Sequence, residues 1–133
     1  MNWLKQFRQK HYLPYDFSHS ATQAFIPFAE YLATKCTAKA SPLFVGINGC
    51  QGSGKSTLST FIKQYLQETY QLNVVSLSLD DFYLTRSERI ALSVKVHPLF
   101  STRGVPGTHD MGLAKRVLKA LAESDGSVSV PRF

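Results

Sequence analysis

The chain has 133 residues, of which 44% are hydrophobic and 12% aromatic, and its formal net charge is +6. This composition is typical of a globular chain, and the length predicts one domain or part of one. The basic residues are scattered, without a run of five or more. The charge therefore favours a small anionic ligand, and a nucleic-acid partner is not predicted.

Cysteine usage and hydropathy indicate the compartment. Cys36 and Cys50 form no metal or redox motif, which favours the reduced cytosol over an oxidising compartment. No apolar stretch follows the basic residues of the first ten, so a signal peptide is not predicted. No apolar run approaches the roughly 18 residues of a membrane span. We expect a soluble, cytoplasmic protein with no membrane partner.

The first 42 residues predict a helical segment. Residues 2–10 favour a short helix, and a second helix is expected to begin at a cap formed by Ser20 or Thr22 and to end near Lys39. Pro27 leaves the start of this second helix open. Its apolar side chains recur at helical spacing, at Phe25, Phe28, Ala29 and Leu32. We interpret residues 1–42 as a helical segment that packs on a domain formed by residues 43–133.

Residues 43–58 carry the most specific motif of the chain. An apolar run over 43–47 predicts a buried strand, and it leads into GCQGSGKS at 49–56. This segment matches the phosphate-binding pattern G-x-x-x-x-G-K-[ST] at every fixed position. Glycines at 49, 52 and 54 allow a backbone whose N–H groups turn toward a phosphate. A helix predicted from Gly54 to Tyr70 adds its positive N-terminal end.

The motif predicts ATP and Mg²⁺ as ligands. Lys55 is expected to reach the β- and γ-phosphates, and the hydroxyl of Ser56 to coordinate Mg²⁺. Thr57 is not the metal ligand by its spacing. The residues predicted to hold the nucleotide are Gly49, Cys50, Gln51, Gly52, Ser53, Gly54, Lys55, Ser56 and Thr57.

The order of elements predicts an α/β fold. Residues 73–79 indicate a second strand, so strand, helix and strand form a right-handed crossover between parallel strands. Residues 87–96 favour a helix or a loop, and Asp110 is placed to cap a helix from Met111 to Glu123. A third strand begins at Val128. We expect the N-terminal part of a P-loop NTPase-type parallel sheet with flanking helices, from a larger kinase domain.

An acidic pair follows the second predicted strand. Strand one leads into the phosphate loop and strand two ends at Asp80 and Asp81, so both are expected at the same edge of the sheet. A carboxylate there can accept the proton of an attacking hydroxyl. We predict Asp80 as the base, while Asp81 either assists through water-bound Mg²⁺ or caps the next segment. A solvated turn is the alternative interpretation of the pair.

Basic residues after the acidic pair suggest an anionic acceptor. Arg103 lies in a loop with two glycines and Pro106, and its planar guanidinium matches a carboxylate. For His109, contact with substrate and a role in bracing this loop remain equally open. His97 is expected to be structural, and Asp110 to be a helix cap. Arg89 and Lys95 are expected to face solvent.

Four blocks in order carry a family resemblance: GCQGSGKSTL, SLSLDDFYLTRSER, HPLFSTRGVPGTHD and VSVPRF. Together they resemble the P-loop D-glycerate 3-kinase family of plants and fungi and its bacterial kinase-like relatives. That family is related to uridine kinase, phosphoribulokinase and bacterial pantothenate kinase. The resemblance covers roughly residues 43–133. Members of the family extend well beyond VPRF.

The resemblance implies ATP-dependent phosphorylation of D-glycerate to 3-phosphoglycerate. The resemblance implies that Lys55 and Asp80 are catalytic. The residues expected to bind the acceptor are Asp81, Tyr83, Arg86, Arg103 and His109. A kinase for a nucleoside, pantothenate or a sugar phosphate is the alternative within enzymes. A nucleotide-binding module without catalysis is the alternative outside them.

Overall fold

The computed structural model describes residues 2–39 and 41–132. It divides into two compact units, Met1–Ser76 and Leu77–Phe133. Each unit is organised around its helices. In the described part of the chain, no helix combines the length and the apolar character that are needed to span a bilayer.

The N-terminal segment of the first unit is helical, as predicted. Helix α1 spans Asn2–Lys10, and helix α2 (Phe17–Ser20) continues through a π-helical stretch, Ala21–Phe25, into helix α3 (Ile26–Thr37). Helix α4 spans Lys55–Tyr70 and begins directly after the phosphate-binding sequence. The helix predicted over 2–10 is confirmed, and α4 begins one residue later than expected.

The predicted cap at Ser20 or Thr22 is wrong. The helical backbone is already established at Phe17, and the Thr22 hydroxyl donates instead to the Ser18 carbonyl at 2.9 Å. Pro27 lies within the first two positions of α3 and does not start the helix. Proline offers no N–H to the carbonyl four residues earlier and crowds it. The wider π-helical turn before α3 contains that carbonyl, which allows the helix to continue past the proline.

An aromatic cluster joins α1, the π-helical stretch and α4. The ring of Phe61 in α4 is fully buried. Its neighbours lie at centroid distances of 5.1 Å for Trp3 and 5.2 Å for Phe7, both edge to face. Such edge-to-face pairs add stabilisation beyond the area that they bury. The other rings around Phe61 are those of Phe17, Phe25 and Tyr65.

A second cluster packs α3 against α4. Small side chains on α3, Ala29 and Ala33, are buried and allow a close approach to Ile62 and Leu66 of α4. This face of α4 therefore packs against α3. Partly buried residues from the predicted strand segments pack on the same cluster, namely Leu43, Ile47, Leu72 and Val74.

The predicted parallel sheet is not confirmed. No strand is present among residues 2–39 and 41–132, where segments 43–47, 73–79 and 128–130 were predicted as strands. A strand exists only through its hydrogen-bonded neighbour, and the described residues pair none of these segments. The last residue of the second segment belongs instead to a 3₁₀ turn, Leu79–Phe82, capped by Ser78.

The second unit consists of two helices and the turns between them. Helix α5 spans Arg86–Lys95, a 3₁₀ turn spans Pro98–Ser101, and helix α6 spans Met111–Glu123. Phe82, Ala114 and Val117 form its buried core, and Val130 packs against them. The predicted cap of α6 is confirmed, because Asp110 accepts a hydrogen bond from the N–H of Leu113 at 2.8 Å.

Among the side chains of the aromatic cluster, that of Phe61 should contribute most to the free energy of unfolding. We predict that Phe61→Ala lowers the free energy of unfolding by about 3–5 kcal/mol, because it leaves a cavity among five other rings. Tyr31→Ala is the control: this α3 ring is 55% exposed and contacts the Lys35 ammonium. Its loss should cost at most about 1 kcal/mol. Equal losses in chemical denaturation would contradict the assignment.

The capping box of α5 makes stability depend on pH. The Glu88 carboxylate accepts hydrogen bonds from the hydroxyl and the backbone N–H of Thr85, at 2.6 and 2.8 Å, and these bonds lower the pKa of Glu88. Folding thus favours the ionised form. The contribution to stability is complete above the unfolded pKa of about 4.3 and is lost as the pH falls through the lower folded-state pKa.

We predict that Glu88→Gln is less stable than the wild type at neutral pH and that the difference is smaller at about pH 3, below the unfolded pKa of about 4.3. Glutamine keeps the capping geometry and removes only the charge, so the variant isolates the ionised form. Urea denaturation at the two pH values measures the difference. A gap of the same size at both would contradict the prediction.

Candidate active site

The phosphate-binding sequence forms a tight loop before α4. Gly52 and Gly54 have φ values of +78° and +85°, in the left-handed region that disfavours side chains. A Cβ placed on Gly49 would lie 2.8 Å from the Ser53 hydroxyl oxygen, closer than real contacts allow. The backbone of the loop therefore requires glycine at positions 52 and 54, and a side chain at position 49 would force the Ser53 hydroxyl to move.

The N-terminus of α4 offers backbone donors. Gly54 is the capping residue, and no side chain caps the helix there. The first intrahelical bond runs from the N–H of Leu58 to the Gly54 carbonyl at 2.9 Å. The N–H groups of residues 55–57 precede it and have no carbonyl within the helix to receive them. Together with the helix dipole they fit a phosphate group.

Lys55 lies over the same loop. Its ammonium donates to the Cys50 carbonyl at 2.6 Å, and the N–H of Ser53 donates to that carbonyl at 3.2 Å. The loop itself is exposed: Gln51, Gly52, Ser53 and Gly54 are all accessible to solvent. A positive charge held beside open backbone N–H groups is suited to a polyphosphate. Cys50 contributes its carbonyl here, and its thiol is free.

The surroundings of Ser56 fit a magnesium ion that arrives with a nucleotide. Ser56 is exposed and occupies the metal-binding position of the motif. The described residues contain no group of three or more His, Cys, Asp or Glu that could hold a metal by themselves. Mg²⁺ commonly relies on substrate phosphates and few protein ligands, so this donor set is compatible with it.

The two acidic residues differ in their contacts. The carboxylate of Asp81 accepts hydrogen bonds from the N–H of Ser78 at 2.9 Å and from Arg132 at 3.2 Å. Asp80 is exposed and is engaged through its backbone: its N–H donates to the Ser78 hydroxyl at 3.2 Å, and its carbonyl accepts from the N–H of Tyr83 at 3.5 Å. No hydrogen bond within residues 2–39 and 41–132 engages the carboxylate of Asp80. The geometry favours Asp81 as a cap and leaves Asp80 available for chemistry.

Three of the predicted acceptor residues meet in the second unit. Tyr83 and His109 form an antiparallel bridge, and their rings stack with centroids 4.2 Å apart. The guanidinium of Arg103 lies 6.0 Å from the centre of the Tyr83 ring, within cation–π range. Residues distant in sequence thus form one cationic, aromatic group. We call it the Arg103–Tyr83–His109 stack.

The remaining basic residues separate into different roles. Arg86 begins α5 and is exposed, and no contact among the described residues joins it to the stack. Lys95 is exposed, as predicted. His97 has the structural role that was expected, because its Nδ1 accepts a hydrogen bond from the N–H of Leu99 at 3.3 Å.

The sequence-based interpretation of Arg89 is wrong. It was expected to face solvent, yet it is only 7% exposed and donates two hydrogen bonds to backbone carbonyls. These acceptors lie five and twelve residues away along the chain. The sequence contains one signal for the burial of Arg89. It lies three residues before Leu92, so both side chains lie on the same face of the helix.

Comparison with known proteins identifies the class. The zeta toxin family model matches residues 29–85, which include the phosphate loop and the acidic pair. A solved structure of the YGR205w protein superposes with a TM-score of 0.67 at 33% identity, over 86% of this chain and 41% of that one. D-glycerate 3-kinase from Cryptococcus neoformans gives a TM-score of 0.62 at 34% identity, over 77% and 37%. The fold is that of an α/β P-loop kinase.

Relatives identify the family. The chain is 43% identical over 95 residues to the uncharacterized kinase mug58 of Schizosaccharomyces pombe. It is 37% identical over 110 residues to the probable ATP-dependent kinase TDA10 of Saccharomyces cerevisiae. It is 37% identical over 97 residues to the chloroplastic D-glycerate 3-kinase of Arabidopsis thaliana. The chain belongs to the glycerate 3-kinase-like family of P-loop kinases.

These matches cover most of this chain and a smaller part of each relative. They span 69% of this chain and 34% of mug58, 80% and 36% for TDA10, and 69% and 21% for the Arabidopsis enzyme. The chain therefore spans about a third, or less, of the length of these relatives. All three relatives are named as kinases, and TDA10 is named as a probable ATP-dependent kinase.

Lys55→Ala should weaken binding of Mg-ATP about 10- to 100-fold, because a charge-assisted contact to phosphate is worth about 1.5–3 kcal/mol. Titration calorimetry measures the change. Lys63→Ala, in the same helix and partly buried, is the matched control and should bind as the wild type does. Unchanged affinity in Lys55→Ala would contradict the assignment of the loop.

Proposed function

We propose that this chain is the nucleotide-binding part of an ATP-dependent kinase that phosphorylates D-glycerate to 3-phosphoglycerate. The observation that carries the acceptor class is the Arg103–Tyr83–His109 stack, which presents a planar cation beside aromatic rings. Two relatives are named D-glycerate 3-kinase, which suggests the particular acceptor.

ATP is proposed to bind through its phosphates. The backbone N–H groups of residues 49–57 surround them, with Gly52 and Gly54 supplying the left-handed turns. Lys55 exchanges the Cys50 carbonyl for the β- and γ-phosphate oxygens. The Ser56 hydroxyl would hold Mg²⁺, and the bound ion would supply positive charge that neutralises the charge developing during transfer.

Asp80 is proposed as the base. In the transfer step the acceptor hydroxyl oxygen forms a bond to the γ-phosphorus, and the bond from that phosphorus to the β–γ bridging oxygen breaks. The hydroxyl proton passes to the Asp80 carboxylate, and ADP leaves. Asp80 suits this role better than Asp81, whose carboxylate already caps Ser78 and pairs with Arg132.

The acceptor carboxylate is proposed to lie against Arg103. A guanidinium offers two parallel N–H groups to a carboxylate, which orients a small substrate as well as binding it. The ring of Tyr83, itself stacked on His109, lies against the Arg103 guanidinium, and Arg86 at the start of α5 adds a second exposed positive charge. Asp81 contributes by holding the turn that carries Asp80.

An acceptor panel tests the proposal. ADP release is measured for this chain with Mg-ATP and, in turn, D-glycerate, uridine, pantothenate and ribulose 5-phosphate. We expect release with D-glycerate above the rate without an acceptor. Preference for another acceptor would overturn the substrate and keep the kinase. ATP binding without release for any of the four would favour a nucleotide-binding module.

Asp80→Asn should lower kcat for phosphoryl transfer by about 10²–10⁴-fold and leave the affinity for Mg-ATP unchanged, because the amide cannot accept the proton. Asp81→Asn is the matched control: it should lower the melting temperature more than it lowers kcat, because it weakens a cap and an ion pair. Turnover retained in Asp80→Asn and lost in Asp81→Asn would move the base to the second carboxylate.

A further inference from the structure

Arg89 is a buried cation with an unusual set of partners. Its Nε donates to the Leu84 carbonyl at 3.2 Å and its Nη1 to the Ser101 carbonyl at 2.8 Å. Among the described residues, no carboxylate lies within salt-bridge distance of it. Burying an unpaired charge is costly. The two charge-assisted hydrogen bonds offset part of this cost, and they link two backbone segments strongly.

One of these carbonyls lies at the start of a loop, and the other belongs to a residue that pairs with the end of the same loop. Ser101 begins the segment 101–108, which we call the Arg103 loop. At its other end, the Thr108 carbonyl accepts a hydrogen bond from the N–H of Leu84 at 2.9 Å. Arg89 therefore holds the start of the loop directly and its end through Leu84.

The Arg103 loop has a defined internal shape. Thr108 is fully buried, and its hydroxyl donates to the Val105 carbonyl at 2.6 Å. Gly104 and Gly107 adopt φ values of +85° and +94°, which other residues rarely do. A loop that is shaped internally and fixed at both ends presents Arg103 in one place. That place is above the ring of Tyr83.

We propose that Arg89 is a positioning residue, which fixes the Arg103 loop so that Arg103 meets the anionic group of the acceptor. This inference rests on the proposed function, in which Arg103 binds that group. Only arginine suits the position, because its planar guanidinium directs donors to two carbonyls at once. Lysine offers a single charged centre, and methionine fills the space without donors.

The test compares Arg89→Met with the wild type and with Lys95→Met, an exposed residue at the end of the same helix. We expect Arg89→Met to raise KM for D-glycerate about tenfold, as for the loss of a buried hydrogen-bonded anchor, with KM for ATP unchanged. Lys95→Met should behave as the wild type. If Arg89→Met folds poorly, Arg89→Lys is the milder variant to test. Its KM for D-glycerate should lie between the wild-type value and the tenfold increase expected for Arg89→Met.

A double-mutant cycle shows whether Arg89 acts through Arg103. If it does, Arg103→Ala alone should raise KM for D-glycerate, and adding Arg89→Met should raise it little further. Independent, multiplicative effects would overturn the proposal. So would an equal rise in KM for ATP and for D-glycerate, which would indicate general damage to the fold.

A spectroscopic readout separates this inference from the proposed function. The rings of His109 and Tyr83 are stacked, so the ring current of Tyr83 should shift the NMR signals of the His109 ring protons, and these signals report the arrangement without any turnover. We expect these signals to move in Arg89→Met and to stay in Lys95→Met. Unmoved signals would overturn the positioning role. Moved signals in a chain that turns over no acceptor would keep that role and overturn the proposed function instead.

Discussion

The packing of α4 against the N-terminal helices is the constraint on which the nucleotide site depends. Phe61 and Leu66 anchor one face of this helix in two buried clusters. The same helix begins at Gly54, where its uncapped N-terminus meets the glycine loop. A phosphate site formed by backbone N–H groups needs a helix that does not move. In the proposed function, the aromatic cluster around Phe61 supports nucleotide binding by holding α4 in place.

The second unit depends on a different kind of interaction, the pairing of two loop segments. Tyr83 lies opposite His109, and hydrogen bonds on either side of them join Leu84 to Thr108 and Asp110 to Phe82. This short pairing brings together residues that are about 25 positions apart in sequence. The side chains that meet there are those that the acceptor requires in our proposal. Their arrangement relies on backbone hydrogen bonds and on the buried Arg89.

Local patterns were sufficient to predict part of this structure. The phosphate loop follows from its spacing, since Gly52 and Gly54 adopt left-handed backbone angles within a motif of eight residues. The helices were predicted from the periodicity of their apolar residues. The Asp110 cap was predictable because its hydrogen bond reaches only three residues along the chain. Asp81 as a cap was one of two alternatives, and its bonds to Ser78 and Arg132 favour that one.

Contacts between distant residues were beyond the same reasoning. The partners of Arg89 are carbonyls, which every residue has, so no residue type in the sequence marks them. A parallel sheet likewise depends on neighbours far along the chain, and the described residues form none. The caps expected at Ser20 and Thr22 failed because the helix begins earlier and accommodates Pro27 through a π-helical turn.

Identification of the phosphorylated product tests the central claim most directly. The chain is incubated with Mg-ATP and D-glycerate, and the products are resolved by ³¹P NMR. The account predicts 3-phosphoglycerate and ADP in equal amounts, because the terminal phosphoryl group moves to the C3 hydroxyl. Inorganic phosphate and ADP without any phosphoglycerate would contradict it, since ATP would then be hydrolysed and the acceptor ignored.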